Sequence, residues 1–263
     1  MVTSASARLT GWCSPGIFRR LVIAIIAGWL LLNPGTREAA FAAGEMSQDQ
    51  LDQRIHDYIL AHPEVLVQAL QSLDERQREA DAAQAKETLK ARANDIFQDK
   101  QSPVGGNAQG DVTLVEFFDY NCPYCRLMAP IMDQAMADDP QLRIVYKEFP
   151  ILGPDSVFAA KAALAAERQG KYREFHKALY GSRTRVTEAV VLKIAAETGL
   201  DVERMKGDMQ KPDIQALIDR NAELAQALRI TGTPGFVAGG QIFPGATDLA
   251  NLKKLIEQAR IDK

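Results

Sequence analysis

Residues 112–125 read Val-Thr-Leu-Val-Glu-Phe-Phe-Asp-Tyr-Asn-Cys-Pro-Tyr-Cys. The apolar run from Val112 to Phe118 predicts a buried strand, and the Cys-x-x-Cys pair shortly after it opens an amphipathic, helix-patterned segment. Two thiols therefore stand at a strand-to-helix corner. Cys122 falls near the helix N-terminus, where unpaired backbone N–H groups and the positive end of the helix dipole favour a thiolate. The thiolate is the nucleophile of disulfide exchange. Cys125, one turn further on, is placed to close a small disulfide ring or to release a mixed disulfide from Cys122.

Two other uses of this spacing were weighed. A structural disulfide between such near neighbours closes too small a loop to constrain the unfolded chain much. A zinc site needs about four ligands, and there is no second Cys pair: His56 and His62 lie far upstream and His176 stands alone. No metal site built from protein ligands alone is expected, although two soft thiolates leave Cu(I) at Cys122 and Cys125 open.

Phe117-Phe118-Asp119-Tyr120-Asn121-Cys122-Pro123-Tyr124-Cys125 after a valine-rich strand, with Thr233-Pro234 far downstream, resembles the DsbA-type branch of the thioredoxin superfamily. From about Leu51 onward the chain resembles the ScsC-like bacterial proteins, which place a helical extension before that domain. The resemblance implies an α/β thioredoxin-like fold with a helical insertion, preceded by an N-terminal α-helical extension.

Residues 1–42 read as a secretory signal peptide: Arg8, Arg19 and Arg20 precede the apolar core Leu21–Leu32, and Ala40-Phe41-Ala42 offers a small-x-small cleavage site. The apolar run falls short of the roughly 20 residues that a membrane-spanning helix needs. Arg19-Arg20 admits a twin-arginine signal, but the flanking residues fit ordinary secretion better. Cleavage near Ala42 also removes Cys13, so only the Cys122/Cys125 pair remains, an economy that suits a working redox pair in an oxidising compartment. Subtracting the segment's net +3 (four Arg, one Glu) from the whole chain's −3 leaves −6. That balance argues against nucleic-acid binding.

Residues 43–101 are helix-patterned. Ser47 or Asp49 can cap a first helix, Pro63 starts a second, and Leu66, Leu70, Leu73, Gln77, Ala80 and Gln84 form a heptad seam that fades from apolar to polar. Such a helix can lie on its own domain or on another copy, and the ScsC-like resemblance favours a homo-oligomer, trimer or dimer. Residues 102–110, with Ser102-Pro103 and Gly105-Gly106, read as a linker. The catalytic domain is then 111–263: Val112–Phe118, a helix from Cys122 to about Ala137 carrying Pro130, a second strand at Leu142–Glu148 in parallel pairing, and a helical insertion at about 155–229. A hairpin through Gly239-Gly240 and a final helix capped by Asp248 complete it. His176 reads as helix surface or packing.

The remaining site assignments come from the resemblance. The bond before Pro234 is expected to be cis, with Thr233 offering backbone groups to an extended substrate. Glu116, charged within an apolar strand, is either an edge carboxylate or a buried acid relaying the proton of Cys125, with Lys147 as its charge partner. Pro123-Tyr124 lacks the imidazole of the Cys-Pro-His-Cys form found in strong oxidants, so a milder redox couple is expected. The expected activity is that of an exported, periplasmic thiol:disulfide isomerase or reductase. It would act on proteins carrying disulfides or thiols, be kept reduced by a membrane partner, and need no cofactor. The alternatives are a monomeric disulfide oxidase, a Cu(I)-binding protein and a chaperone.

Overall fold

The structure is a computed structural model that describes residues 46–261. The signal-peptide assignment and its cleavage site lie outside the described residues. The chain divides into two compact units, with the break between Leu70 and Gln71.

In the first unit, α1 (Gln48–Ala61) begins with a reciprocal capping box: the Ser47 hydroxyl accepts from the Gln50 N–H, and the Gln50 side chain accepts from the Ser47 N–H. Pro63 sits in the turn before α2 (Glu64–Ala91). Leu51, Ile55, Tyr58, Leu60, Leu66, Val67 and Leu70 are all exposed.

The second unit is organised on a five-stranded sheet in the order β1-β3-β2-β4-β5. Its strands are β1 (Val104–Gly106), β2 (Val112–Phe118), β3 (Leu142–Glu148), β4 (Gly235–Ala238) and β5 (Gln241–Pro244). The central pair β2/β3 is parallel, as the strand-helix-strand order predicts, and the other pairings are antiparallel. Between β2 and β3 runs α4 (Pro123–Asp138), continuous through Pro130. Five helices separate β3 from β4: α5 (Pro154–Glu167), α6 (Tyr172–Tyr180), α7 (Glu188–Glu197), α8 (Val202–Met209) and α9 (Pro212–Ala227). The last helix, α10 (Leu249–Ile261), is capped by Asp248, whose carboxylate accepts from the Asn251 N–H at 2.8 Å.

Alternation along β2 splits the core. Leu114 and Phe118 pack with α4, α10 and the insertion, while Val115 and Phe117 pack with Leu89 and Ile96, Val145, Leu224 and Leu228 on the other face. Ile96 belongs to α3 (Ala93–Phe97).

Two of the expected boundaries are corrected. Residues 102–110 are not a linker, because Val104–Gly106 pair with Val145, Ile144 and Arg143 as an edge strand. The glycines that suggested a linker are there for clearance: a Cβ on Gly105 would lie 2.8 Å from the Tyr146 ring, and Gly106 has φ +66° with the Leu142 carbonyl 2.3 Å from where its Cβ would be. Nor does the helical extension end at 101, since Ala85 and Leu89 of α2 are buried in the second unit. Arg229 reinforces this attachment from a left-handed conformation just past α9 (φ 58°), pairing with Asp81 at 2.9 Å and donating to Gln84 at 3.2 Å.

Candidate active site

Strand β2 ends at Phe118, and the chain turns through Asp119-Tyr120-Asn121 into α4. Buried Asp119 holds the corner by accepting from the Asn121 N–H at 2.8 Å and the Leu152 N–H at 2.9 Å. Cys122 is the N-cap of α4 in an extended conformation, with Pro123 at the first helical position, where the missing N–H costs no hydrogen bond. Both cysteines are in the thiol form; Cys122 is 4% exposed and Cys125 fully buried. Tyr124 and Leu127 stand out into solvent beside them.

Across from this corner lies the loop before β4. The Thr233-Pro234 bond is cis, and the Cys122 thiol donates to the Thr233 carbonyl at 3.1 Å. Residues 111 positions apart are thereby joined at the reacting sulfur. Cys125 is held protonated, its thiol pushed far up by burial first and by the nearby Glu116 carboxyl second.

Glu116 is 2% exposed, on the α4 face of β2, and desolvation raises its carboxyl to about 8. Of its two predicted surroundings, the buried one holds. It lines a cavity of about 210 Å3 between α4 and α6, together with Arg126, Lys177, Tyr146, His176 and Tyr180, whose buried hydroxyl has no hydrogen-bond partner among the described residues.

The expected Glu116–Lys147 pairing does not form. The parallel register sets Glu116 beside Tyr146 and Phe117 beside Lys147, so the two charged side chains leave opposite faces of the sheet. Lys147 is 1% exposed and pairs with Asp99 at 2.8 Å while donating to the Asp95 carbonyl at 2.9 Å. Burial pulls its ammonium below the ordinary lysine value, and Asp99 partly restores it. Lys147 fastens α3 to the back of the sheet and is not a site residue.

His176 proves to be a packing residue and not a surface one. It lies edge-on to Phe118, stacks with Tyr172 and shares a 3.0 Å hydrogen bond with the Tyr120 hydroxyl. Tyr120 and Tyr172 both donate to Oε1 of the buried Glu148, at 3.1 and 2.9 Å. Burial holds that carboxyl well above the usual range, the two phenols opposing the shift.

Two further residues went unnoticed in the sequence. Asn121 bridges the corner to the insertion, donating to Ser156 Oγ and the Val186 carbonyl and accepting from the Val186 N–H at 2.9 Å. Arg126 donates to the carbonyls of Tyr180 at 2.7 Å, Ser182, and Tyr120 at 3.4 Å. Their only local signal was position beside the Cys pair, since every one of these side-chain partners, apart from the Tyr120 carbonyl, is 35 or more residues away.

The chemistry available is exchange between a near-surface sulfur and a buried one above a carboxyl that can hold a proton. A family model described as the DSBA-like thioredoxin domain matches residues 113–257, and one described as the copper resistance protein ScsC N-terminal domain matches 48–80. A crystal structure of a thioredoxin-like oxidoreductase from Silicibacter pomeroyi is 47% identical with TM-score 0.63, covering 64% of this chain and 97% of that one. The catalytic domain of Proteus mirabilis ScsC is 26% identical with TM-score 0.62, covering 67% and 98%. Among curated sequences, the probable disulfide bond formation protein D of Bacillus cereus is 27% identical over 182 residues, 64% of this chain and 83% of that protein. The chain also matches a Na(+)/H(+) antiporter NhaA of Salinispora tropica, 28% identical over 158 residues, but spans only 24% of its length.

Proposed function

The chain belongs to the DSBA-like thioredoxin-domain family of thiol:disulfide oxidoreductases and carries an ScsC-type N-terminal domain, and from that premise we propose that it is an exported disulfide isomerase or reductase working through Cys122 and Cys125. One observation carries the assignment to these residues: the Cys122 sulfur, at the start of α4, lies 3.1 Å from the Thr233 carbonyl of the loop before β4, with Cys125 buried one turn further along the helix. In the proposed cycle the Cys122 thiolate attacks a substrate disulfide. A Cys122–substrate bond forms, the substrate S–S bond breaks, and one substrate thiolate leaves. That thiolate attacks another disulfide of the same substrate, and the thiolate freed there attacks the Cys122–substrate bond, forming a new substrate disulfide and releasing the Cys122 thiolate, which completes isomerisation. Otherwise Cys125 attacks Cys122, releasing a reduced substrate and an oxidised enzyme, and a membrane-bound reductant restores the pair. Glu116, its carboxyl raised to about 8, gives its proton to Cys125 when that sulfur is expelled, and only its ionised form accepts the proton back when Cys125 attacks. Thr233 offers its backbone to an extended substrate segment.

Direction and assembly are proposed on separate grounds. The exposed apolar residues of α1 and the start of α2 suit homo-oligomerisation, which would present several sites to one misfolded substrate. Among the described residues no group of three or more His, Cys, Asp or Glu could hold a metal ion, so Cu(I) would have two thiolates only. Exchange needs no further ligand.

The test is recovery of a scrambled, multi-disulfide protein by the mature chain and by a chain beginning at Gln71, the break between the compact units. Reshuffling by the first and not the second supports an oligomeric isomerase. Rapid oxidation of a reduced substrate by both, with no reshuffling, replaces it with a monomeric oxidase.

A further inference from the structure

A cleft of about 600 Å3 opens beside Cys122, floored by its two sequence neighbours, Asn121 and Pro123, and walled by Arg126 and the segment from Tyr180 to Arg185. It lies between the active-site corner and the loop joining α6 to α7. Three arginines border it. Arg185 is matched by Asp155 at 3.0 Å. Arg183 makes no ion pair or hydrogen bond among the described residues and is exposed. Arg126 is half-buried, and its bonds go to backbone carbonyls, with no carboxylate within ion-pair distance among the described residues.

Arg126 is the unusual member. A guanidinium satisfied by neutral carbonyls keeps its full charge, and anchorage at several points removes the side-chain entropy that weakens most surface ion pairs. The cleft therefore holds a pre-positioned positive charge four residues past Cys122, with an exposed one from Arg183 in its lining. This is a local reversal of sign, since the chain after residue 42 carries −6.

We propose that this cleft is a subsite for an acidic side chain adjoining the reacting cysteine of a polypeptide substrate. The proposal rests on the disulfide-exchange reading above and adds a substrate preference to it. A polypeptide whose sulfur bonds to Cys122 must pass over Asn121 or Pro123, and on that side the groups it meets are Arg126 and Arg183. A carboxylate there gains two cationic partners, one already fixed in place. A lysine meets like charge.

Single-cysteine peptides joined as symmetrical disulfides, with Glu, Gln or Lys on both sides of the cysteine, test this. Mixed with the reduced full-length mature protein, each peptide disulfide accepts two electrons: Cys122 attacks and expels one peptide thiol, and Cys125 closes the ring and expels the second. The rate of peptide-thiol release is divided by that of the same disulfide with a small neutral dithiol, which removes the intrinsic reactivity of each peptide. The expected order is Glu over Gln over Lys, with Glu ahead of Gln about three- to tenfold at low salt. That advantage shrinks at an ionic strength of about 0.5 M, where the rim charge is screened. Arg183→Gln reduces the Glu-to-Gln ratio by half or more, whereas Lys254→Gln, an equal change of charge on α10, leaves the ratio as it was. Equal normalised rates for the three peptides, or a preference that Arg183→Gln does not alter, would overturn the subsite while leaving the exchange function standing. No exchange with any peptide would overturn both.

Discussion

Glu116→Gln is predicted to stabilise the reduced protein, and to do so increasingly as pH rises. The carboxyl is raised from 4.5 to about 8 by burial, and among the described residues it forms no salt bridge, although Arg126 and Lys177 line the same cavity. Between those two values the folded chain holds a proton that the unfolded chain has released. Stability must therefore fall as pH climbs from 4.5 to 8, and it levels off above. Each pH unit in the window is worth about 1.4 kcal/mol, so the wild type forfeits about 3 kcal/mol by pH 7 and about 5 kcal/mol by pH 8. Glutamine fills nearly the same volume and does not titrate. Any fixed cost of the amide shifts all pH values equally, so the slope carries the test. The assay is urea unfolding of the reduced wild type and variant at pH 4.5, 6, 7 and 8, with stabilities from linear extrapolation. The difference should be smallest at pH 4.5 and move in the variant's favour by several kcal/mol at pH 8. A difference that stays constant across the series would sink the assignment of Glu116 as a buried, neutral acid. A wild type that gains on the variant with rising pH would mean that a cation faces the carboxylate.

The same substitution should slow the release of Cys125 from its disulfide by about 10²-fold or more if Glu116 supplies the proton, read in single-turnover reduction of the oxidised protein. Cys122→Ser should abolish exchange, whereas Cys125→Ser should accumulate a mixed disulfide at Cys122, visible by intact mass after acid quenching. Lys147→Ala should cost about 3 to 5 kcal/mol, because it leaves Asp99 facing a buried gap; a chemical melt reads it, and a loss below about 1 kcal/mol would contradict the burial of the pair. Glu148→Ala should cost about 1 to 3 kcal/mol by stranding the Tyr172 hydroxyl, the Tyr120 hydroxyl keeping its bond to His176, and Glu148→Gln, which keeps an acceptor for both phenols, should restore most of it.

Much of the site was legible because its signals are local. The apolar run Val112–Phe118, a Cys-x-x-Cys at a strand end and a proline after Cys122 set a thiol at a helix N-terminus whatever else the chain does. Ser47, Pro63 and Asp248 likewise mark helix starts through hydrogen bonds that span three residues. Glycine misled where its usual meaning failed: Gly105 and Gly106 read as a linker, yet they sit in an edge strand because Tyr146 and the Leu142 carbonyl leave no room for a Cβ. That obstacle belongs to another strand and leaves no trace in the local sequence.

The sequence by itself determined the Cys-x-x-Cys pair at a helix start, the central strands and the run of helices that interrupts the sheet. Only the tertiary structure decided which charges meet. Glu116 and Lys147 are one strand apart in sequence, but the parallel register turns them to opposite faces, one into the cavity between α4 and α6 and the other onto Asp99. Arg126 is one residue from Cys125, yet its place at the site depends on carbonyls 54 and 56 residues away. Propensity, capping and periodicity act over a turn or a strand, and the sequence states them directly. Burial, electrostatic pairing and hydrogen bonds to distant backbone exist only once the chain has brought those groups together.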